Sequence, residues 1–261
     1  MKHLALLCLV AAAALPAAAQ PTPASYAAQL AAQALVRHPE LSAVTIHAGP
    51  AAAQPVQQIS TDGAQLVTTL PLQDVSGDPV GSVDVAFPIT AGNDRQALLK
   101  RAEAVRNELR RHVINAANLA DPVPYVAGFP SAPYAQQLVD HAMAAHPELL
   151  VVALHVATLA SDGYPIIASS IGRIGKKADE DDMRVITSGK PAAGAYGANK
   201  TRYGIELPMY DTVGKLLGAL SVGYAFKAGD DEPALLRQAQ QVEAELRARI
   251  PSLARLYGPA L

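Results

Sequence analysis

The chain has a single cysteine, Cys8, in 261 residues, and it sits inside an apolar run near the start. If that run is removed no cysteine remains, which excludes disulfides, thiolate metal sites and a cysteine nucleophile together. Long apolar runs are missing as well. The stretch at 4–15 is shorter than the ~20 residues a spanning helix needs, and no later run is longer. There is no excess of basic charge, since 21 Lys and Arg face 23 Asp and Glu for a formal net charge of −2. That balance gives nucleic acid no electrostatic footprint. Catalytic signatures are equally absent: the sequence has no Gly-x-Ser-x-Gly elbow, no HExxH, no phosphate loop and no CxxCH haem attachment. Ser170 and Ser188 have no base near them in sequence. A non-catalytic protein without cofactor or metal is expected.

At the start, Lys2 and His3 precede the apolar run, and Ala17-Ala18-Ala19 offers a small-residue cleavage site. This is the pattern of a secretory signal peptide over 1–19, which places the remainder outside the cytoplasm, in the periplasm if the cell is bacterial. After cleavage nothing would span the membrane. The remaining chain exceeds one typical domain and is long enough for two, each with its own core.

Those two halves are related by an internal repeat. Tyr26, His38, Pro39, Glu40, Leu41, Val44 and His47 recur 108 positions later as Tyr134, His146, Pro147, Glu148, Leu149, Val152 and His155. Leu70, Pro71, Asp74, Gly77 and Gly81 recur 137 positions later as Leu207, Pro208, Asp211, Gly214 and Gly218. The larger offset means that the second copy carries 29 additional residues in its middle, between 155 and 210. A repeat of this length marks a structural unit written twice. The copies fall at 24–117 and 134–253, joined by a proline-rich linker at 118–133.

Within the first copy, 26–36 has helical spacing and is stopped by His38-Pro39. Strands are predicted at 41–47, 64–70 and 81–87, the last two joined through turn chemistry at 74–79, and 96–113 is an amphipathic helix. The second copy repeats this with a helix at 134–145, strands at 149–158 and 164–171, a turn at 161–163, and a short helix at 179–187 with an acidic first turn. A hairpin over 202–210 and 216–226 and a closing helix at 233–250 complete it.

A helix, two strands, a variable helical middle and then the hairpin Leu-Pro-Met-Tyr-Asp-Thr-Val-Gly-Lys-Leu-Leu-Gly-Ala-Leu resembles the extracytoplasmic Cache group of PAS-like sensor domains. The signature is at 207–224 and is echoed at 70–87. The resemblance implies an α+β fold of two tandem PAS/Cache-like modules, each a curved antiparallel sheet flanked by N- and C-terminal helices. It also implies a small-molecule pocket on the sheet of the full-length second module, whereas the shortened first module is open to either reading. Family members usually sit in membrane receptors ahead of a signalling domain. This sequence carries neither segment, so a bound state is expected to act through a partner, such as an envelope receptor or a transporter, or through sequestration. The alternative is a non-catalytic envelope scaffold with a filled pocket.

The pocket residues expected from this reading are Tyr164, Ser169, Ser170, Arg173, Lys176, Arg202, Glu206 and Tyr210. Arg173 and Lys176 lie beside Gly172 and Gly175, which let backbone approach a ligand closely, and can hold an anionic, carboxylate-bearing ligand. The competing reading is a solvated basic loop that answers Asp179, Glu180, Asp181 and Asp182. Strand period two places Arg202, Glu206 and Tyr210 on one face and Tyr203 on the other. His47 and His155 each stand alone in an apolar strand with no second ligand at metal spacing, so both are expected to be structural. The acidic cluster lacks the alternating oxygens of an EF-hand.

Overall fold

The computed structural model describes residues 25–50, 54–60, 62–90, 92, 94–158, 163–197 and 199–261. The expected signal peptide and most of the turn at 161–163 therefore lie outside the described residues. Helix α1 (Tyr26–Arg37) starts at Ser25, whose side chain accepts from the Ala28 N–H at 3.3 Å, and buries Tyr26, Leu30, Ala31 and Ala34 along one stripe. It ends where Pro39 forbids another turn. His38 caps it, and the His38 Nε2 then reaches Glu108 at 2.7 Å on helix α2 (Arg95–Arg110). Helix α3 (Pro133–Ala145) ends in the same way. His146 caps it, and its Nε2 lies 2.8 Å from Glu245 on helix α5 (Glu232–Arg247). The repeated His-Pro thus stops an opening helix and ties it to the closing helix.

Between those helices run strands β1 (Ala43–Ala48), β2 (Val56–Ile59), β3 (Gln65–Gln73) and β4 (Pro79–Pro88), in the order β1-β4-β3-β2. After α3 come β5 (Leu149–Val156), β6 (Ile166–Ser169), helix α4 (Glu180–Ser188), β7 (Ala192–Tyr196), β8 (Arg202–Tyr210) and β9 (Leu216–Ala225). These strands form a five-stranded sheet ordered β6-β5-β9-β8-β7. Every pairing is antiparallel. A short helix α6 (Leu253–Leu256) follows α5. The fold is mixed α+β, with two antiparallel sheets and six α-helices among the described residues.

The two hairpins share their atomic detail. Asp74 Oδ1 accepts the N–H groups of Ser76 and Asp78, and Asp211 Oδ1 accepts those of Val213 and Lys215. Gly81 and Gly218 sit at φ +157° and +159°, where a Cβ would lie 1.9 Å from the carbonyl oxygens of His47 and His155 respectively. Only glycine fits so close to a neighbouring strand. Three strands differ from the sequence expectation. β2 and β7 form where none was predicted, because their polar or small residues carry no apolar alternation. β6 is shorter than the predicted 164–171, because the chain leaves the sheet at Ser170.

Each sheet packs one face on its opening and closing helices. Leu66, Leu70, Val83, Val85 and Phe87 fill the first core, and Val152, Leu154, Ile205, Leu207 and Leu220 fill the second. A third cluster of Val75, Ile114, Val151 and Ile171 takes residues from both halves. Around it the segment after β6 is stitched to the first half. The His112 Nδ1–H donates to the Ser170 carbonyl at 2.8 Å, and Asn118 Nδ2 donates to the carbonyl of Ile171. Gly172 sits so close to the Tyr26 ring that a Cβ would lie 2.4 Å from it. The expected linker is part of this seam, since Asp121 accepts from Asn118, Tyr125 and Arg173. Burial opposes ionisation of Asp121, but those three donors outweigh it and hold its carboxyl below the usual range.

Candidate functional site

The outer face of the five-stranded sheet, turned away from α3 and α5, is partly covered by α4. Asp179 caps α4 by accepting from the N–H groups of Asp181 and Asp182, and the Asp182 carboxylate accepts from the Asp179 N–H in return. This reciprocal box fixes the entry of the chain into the helix. Gly189 ends the helix in the left-handed region at φ +65°. Val185 and Ile186 seat α4 on Ala219 of β9.

Beside α4 the register lines up three glycines. Gly194 pairs with Gly204, and Gly204 with Gly223, so β7, β8 and β9 together present a strip of bare backbone. A cavity of about 410 Å³ lies over this strip. Ser221 and Glu206, paired across β9 and β8, flank it on one side. On the other, Tyr196 leans inward, with its ring over Gly204 and its hydroxyl over Gly223. Asp181 and Arg184 of α4 complete the wall and are paired with each other.

Carboxyl groups crowd this wall. Burial, and then the nearby carboxylates of Asp182, Asp181 and Asp179, push the Glu206 carboxyl up to about 7. No cation pairs with Glu206 among the described residues. Behind it, Asp182 Oδ1 accepts from the Ser221 hydroxyl at 3.2 Å, and Asp182 Oδ2 lies 3.5 Å from His155 Nε2. Burial raises the Asp182 carboxyl and lowers the His155 imidazole, so both shifts favour the uncharged forms. Tyr196 is exposed over part of its ring, but desolvation of its hydroxyl likewise makes it harder to ionise.

Of the eight expected pocket residues, Glu206 lines this cavity. Arg202 shares its face, as period two requires, but lies at the end of β8, where the first half captures it. Its Nη2 meets Asp74 Oδ2 at 2.6 Å, its Nη1 donates to the Ile114 carbonyl at 2.7 Å and its Nε donates to Ser76 Oγ. It also lies 5.9 Å from the Tyr196 ring centroid. Arg173 pairs with Asp121 at 3.0 Å rather than with the acidic cluster at 179–182, and it does not line the cavity. The Lys176 backbone accepts from the Ile166 N–H, and its half-buried side chain does not line the cavity. Ser169 Oγ accepts from the Ile171 N–H and Ser170 Oγ from the Val152 N–H, both in the interior. Tyr164 packs against the apolar underside of α4, and Tyr210 lies beneath Arg247.

Sequence reasoning missed Tyr196, Ser221, Asp181 and Arg184. The available signal was glycine inside strands, which marks a close approach of backbone. His47 is exposed beside Asp84 at 3.0 Å, and among the described residues no group of three or more His, Cys, Asp or Glu is placed to hold a metal ion. No helix among them is long and apolar enough to cross a membrane. A second cavity, of about 360 Å³, lies between the end of α2 and the start of β5 and is lined by Arg110, Arg111, Leu149 and Leu150.

No family model matches the chain, and no curated protein matches it. Among solved structures, it is similar to the crystal structure of an A. aeolicus nlh2 GAF domain in an inactive state. The identity is 14% and the TM-score 0.32, over 48% of this chain and 83% of that one.

Proposed function

We propose that this chain is an extracytoplasmic, non-catalytic small-molecule-binding protein built from two tandem Cache/PAS-like modules, with its ligand in the second. The observation that carries the reading is the cavity of about 410 Å³ over the glycine strip, where Glu206, Tyr196 and Ser221 converge. Binding sites are concave and carry a few convergent polar groups, which this cavity does. β7 is the counterpart of β2, and the extra 29 residues of the second copy supply β6 and α4, of which α4 gives the cavity wall Asp181 and Arg184. An interaction scaffold would need this space filled. The leader-like start of the sequence supports a place outside the cytoplasm, where the bound state acts through an envelope partner.

Gly194 provides the test. A Cβ built there meets nothing within 4 Å, so Gly194→Leu projects into the cavity without disturbing the strand. A thermal-shift panel of amines, amino acids, organic acids and purines is run on the wild type and this variant. One class at 100 times its dissociation constant adds ~2.7 kcal/mol to wild-type stability. The gain disappears in Gly194→Leu. A flat wild-type panel, or a shift that survives the leucine, refutes the proposal.

A further inference from the structure

We infer that the cavity takes a small organic cation, a primary ammonium on a short apolar or aromatic body, with Glu206 as its counter-ion. This rests on the binding reading above and specifies the ligand class.

The cations near the cavity already have partners. Arg184 reaches the wall but is bonded to Asp181. Arg202 stands behind Tyr196 but is held by Asp74. Arg173 belongs to Asp121. An anionic ligand would therefore have to strip a cation from a carboxylate of the protein, and it would enter beside Glu206, with Asp181 in the same wall and Asp182 behind Ser221. Glu206 stands in the opposite condition. It is half-buried, it faces the cavity, and among the described residues no cation meets it. A carboxylate taken out of water without a partner is costly, and an entering ammonium removes that cost.

The remaining geometry suits the same ligand. An ammonium has three donors and no acceptor, and the Glu206 carboxylate and the Ser221 oxygen are acceptors on adjacent strands. The Tyr196 ring lies over the strip and offers a face that attracts cations. Gly204 and Gly223 let the Tyr196 ring lie close on the sheet, and the open space over Gly194 leaves room for an apolar body beside that ring. The ionisable groups facing Glu206 are Asp179, Asp181, Asp182 and Arg184 from α4, His155 from β5, Tyr196 from β7 and Arg202 from its own strand. Among them the cations are already paired.

The experiment uses matched probes on the full chain at pH 8: benzylammonium, benzyl alcohol and benzoate, with butylammonium, butanol and butyrate as the aliphatic set. Calorimetric titrations are run on the wild type, Glu206→Gln and Gly194→Leu. An ammonium is expected to bind at least ~10-fold tighter than its alcohol, with the carboxylate weakest. Glu206→Gln should erase that preference while its circular dichroism stays that of the wild type. If a carboxylate or alcohol binds as well as the ammonium, and Gly194→Leu abolishes it, the cavity reading stands and the cation inference is overturned. The inference also fails if Glu206→Gln leaves ammonium binding unchanged. Should nothing of any charge bind, or should binding survive Gly194→Leu, the cavity reading fails with it.

Discussion

Replacing Arg202 by methionine tests how the two halves are joined. The guanidinium is almost fully buried, with 8% of its side chain exposed against 2% for Asp74, and each of its nitrogens has a partner in the first half. Methionine keeps most of the apolar stem and removes only the charge and the donors. The Asp74 carboxylate is then left buried without its cation, which typically costs about 3–5 kcal/mol. An exposed ion pair would cost at most about 1 kcal/mol, so the measurement separates the two cases. Asp74→Asn supplies the control. Its side-chain oxygen still accepts the Ser76 and Asp78 N–H groups, which keeps the turn, but it buries no charge. Urea unfolding followed by circular dichroism should show Arg202→Met losing about 3–5 kcal/mol and Asp74→Asn/Arg202→Met recovering at least half of it. The halves should also begin to unfold at separate urea concentrations. A loss below about 1 kcal/mol, or no recovery in the double variant, refutes the account of the seam.

Two further predictions follow from the site and the repeat. Glu206 has a folded-state pKa raised to about 7, so between its unfolded value and 7 the folded state binds more protons and stability falls as pH rises. Glu206→Gln should therefore match the wild type near pH 4.5 and exceed it at pH 8, by up to about 3 kcal/mol in denaturant titrations. A wild type whose stability is flat across that window contradicts the assignment. At the repeat, Gly218→Ala and Gly81→Ala each force a Cβ to 1.9 Å from a carbonyl oxygen. Each should cost on the order of 3 kcal/mol in thermal unfolding, and a clear inequality between them would show that the two hairpins are not equivalent.

What the sequence displayed best was what the backbone repeats. His38 and His146, Asp74 and Asp211, and Gly81 and Gly218 could be matched by counting, and each pair does the same work in its own sheet. The alternation in β8 was legible too, because Tyr203, Ile205, Leu207 and Met209 are apolar and share the core. Partners distant in sequence were not legible. Arg202, Glu206 and Tyr210 do share a face, but the seam claims the first and α5 the last, leaving the middle residue to the cavity. Arg173 looked like an anion site because its carboxylate, Asp121, lies 52 positions away in the expected linker. β7 was hidden because Ala192, Ala193, Gly194 and Ala195 carry no periodic apolar signal. Those small residues form part of the cavity wall.

The most direct test of binding on the glycine strip is a ¹⁵N amide correlation spectrum of the full chain titrated with butylammonium, benzylammonium and their neutral and acidic counterparts. The account predicts that the amides of Gly194, Gly204 and Gly223 move together and saturate with an ammonium, while Gly49, Gly77 and Gly81 in the first half stay fixed. Shifts gathered instead around Arg110 and Arg111, or glycine amides in the strip that none of the probes moves, would contradict it.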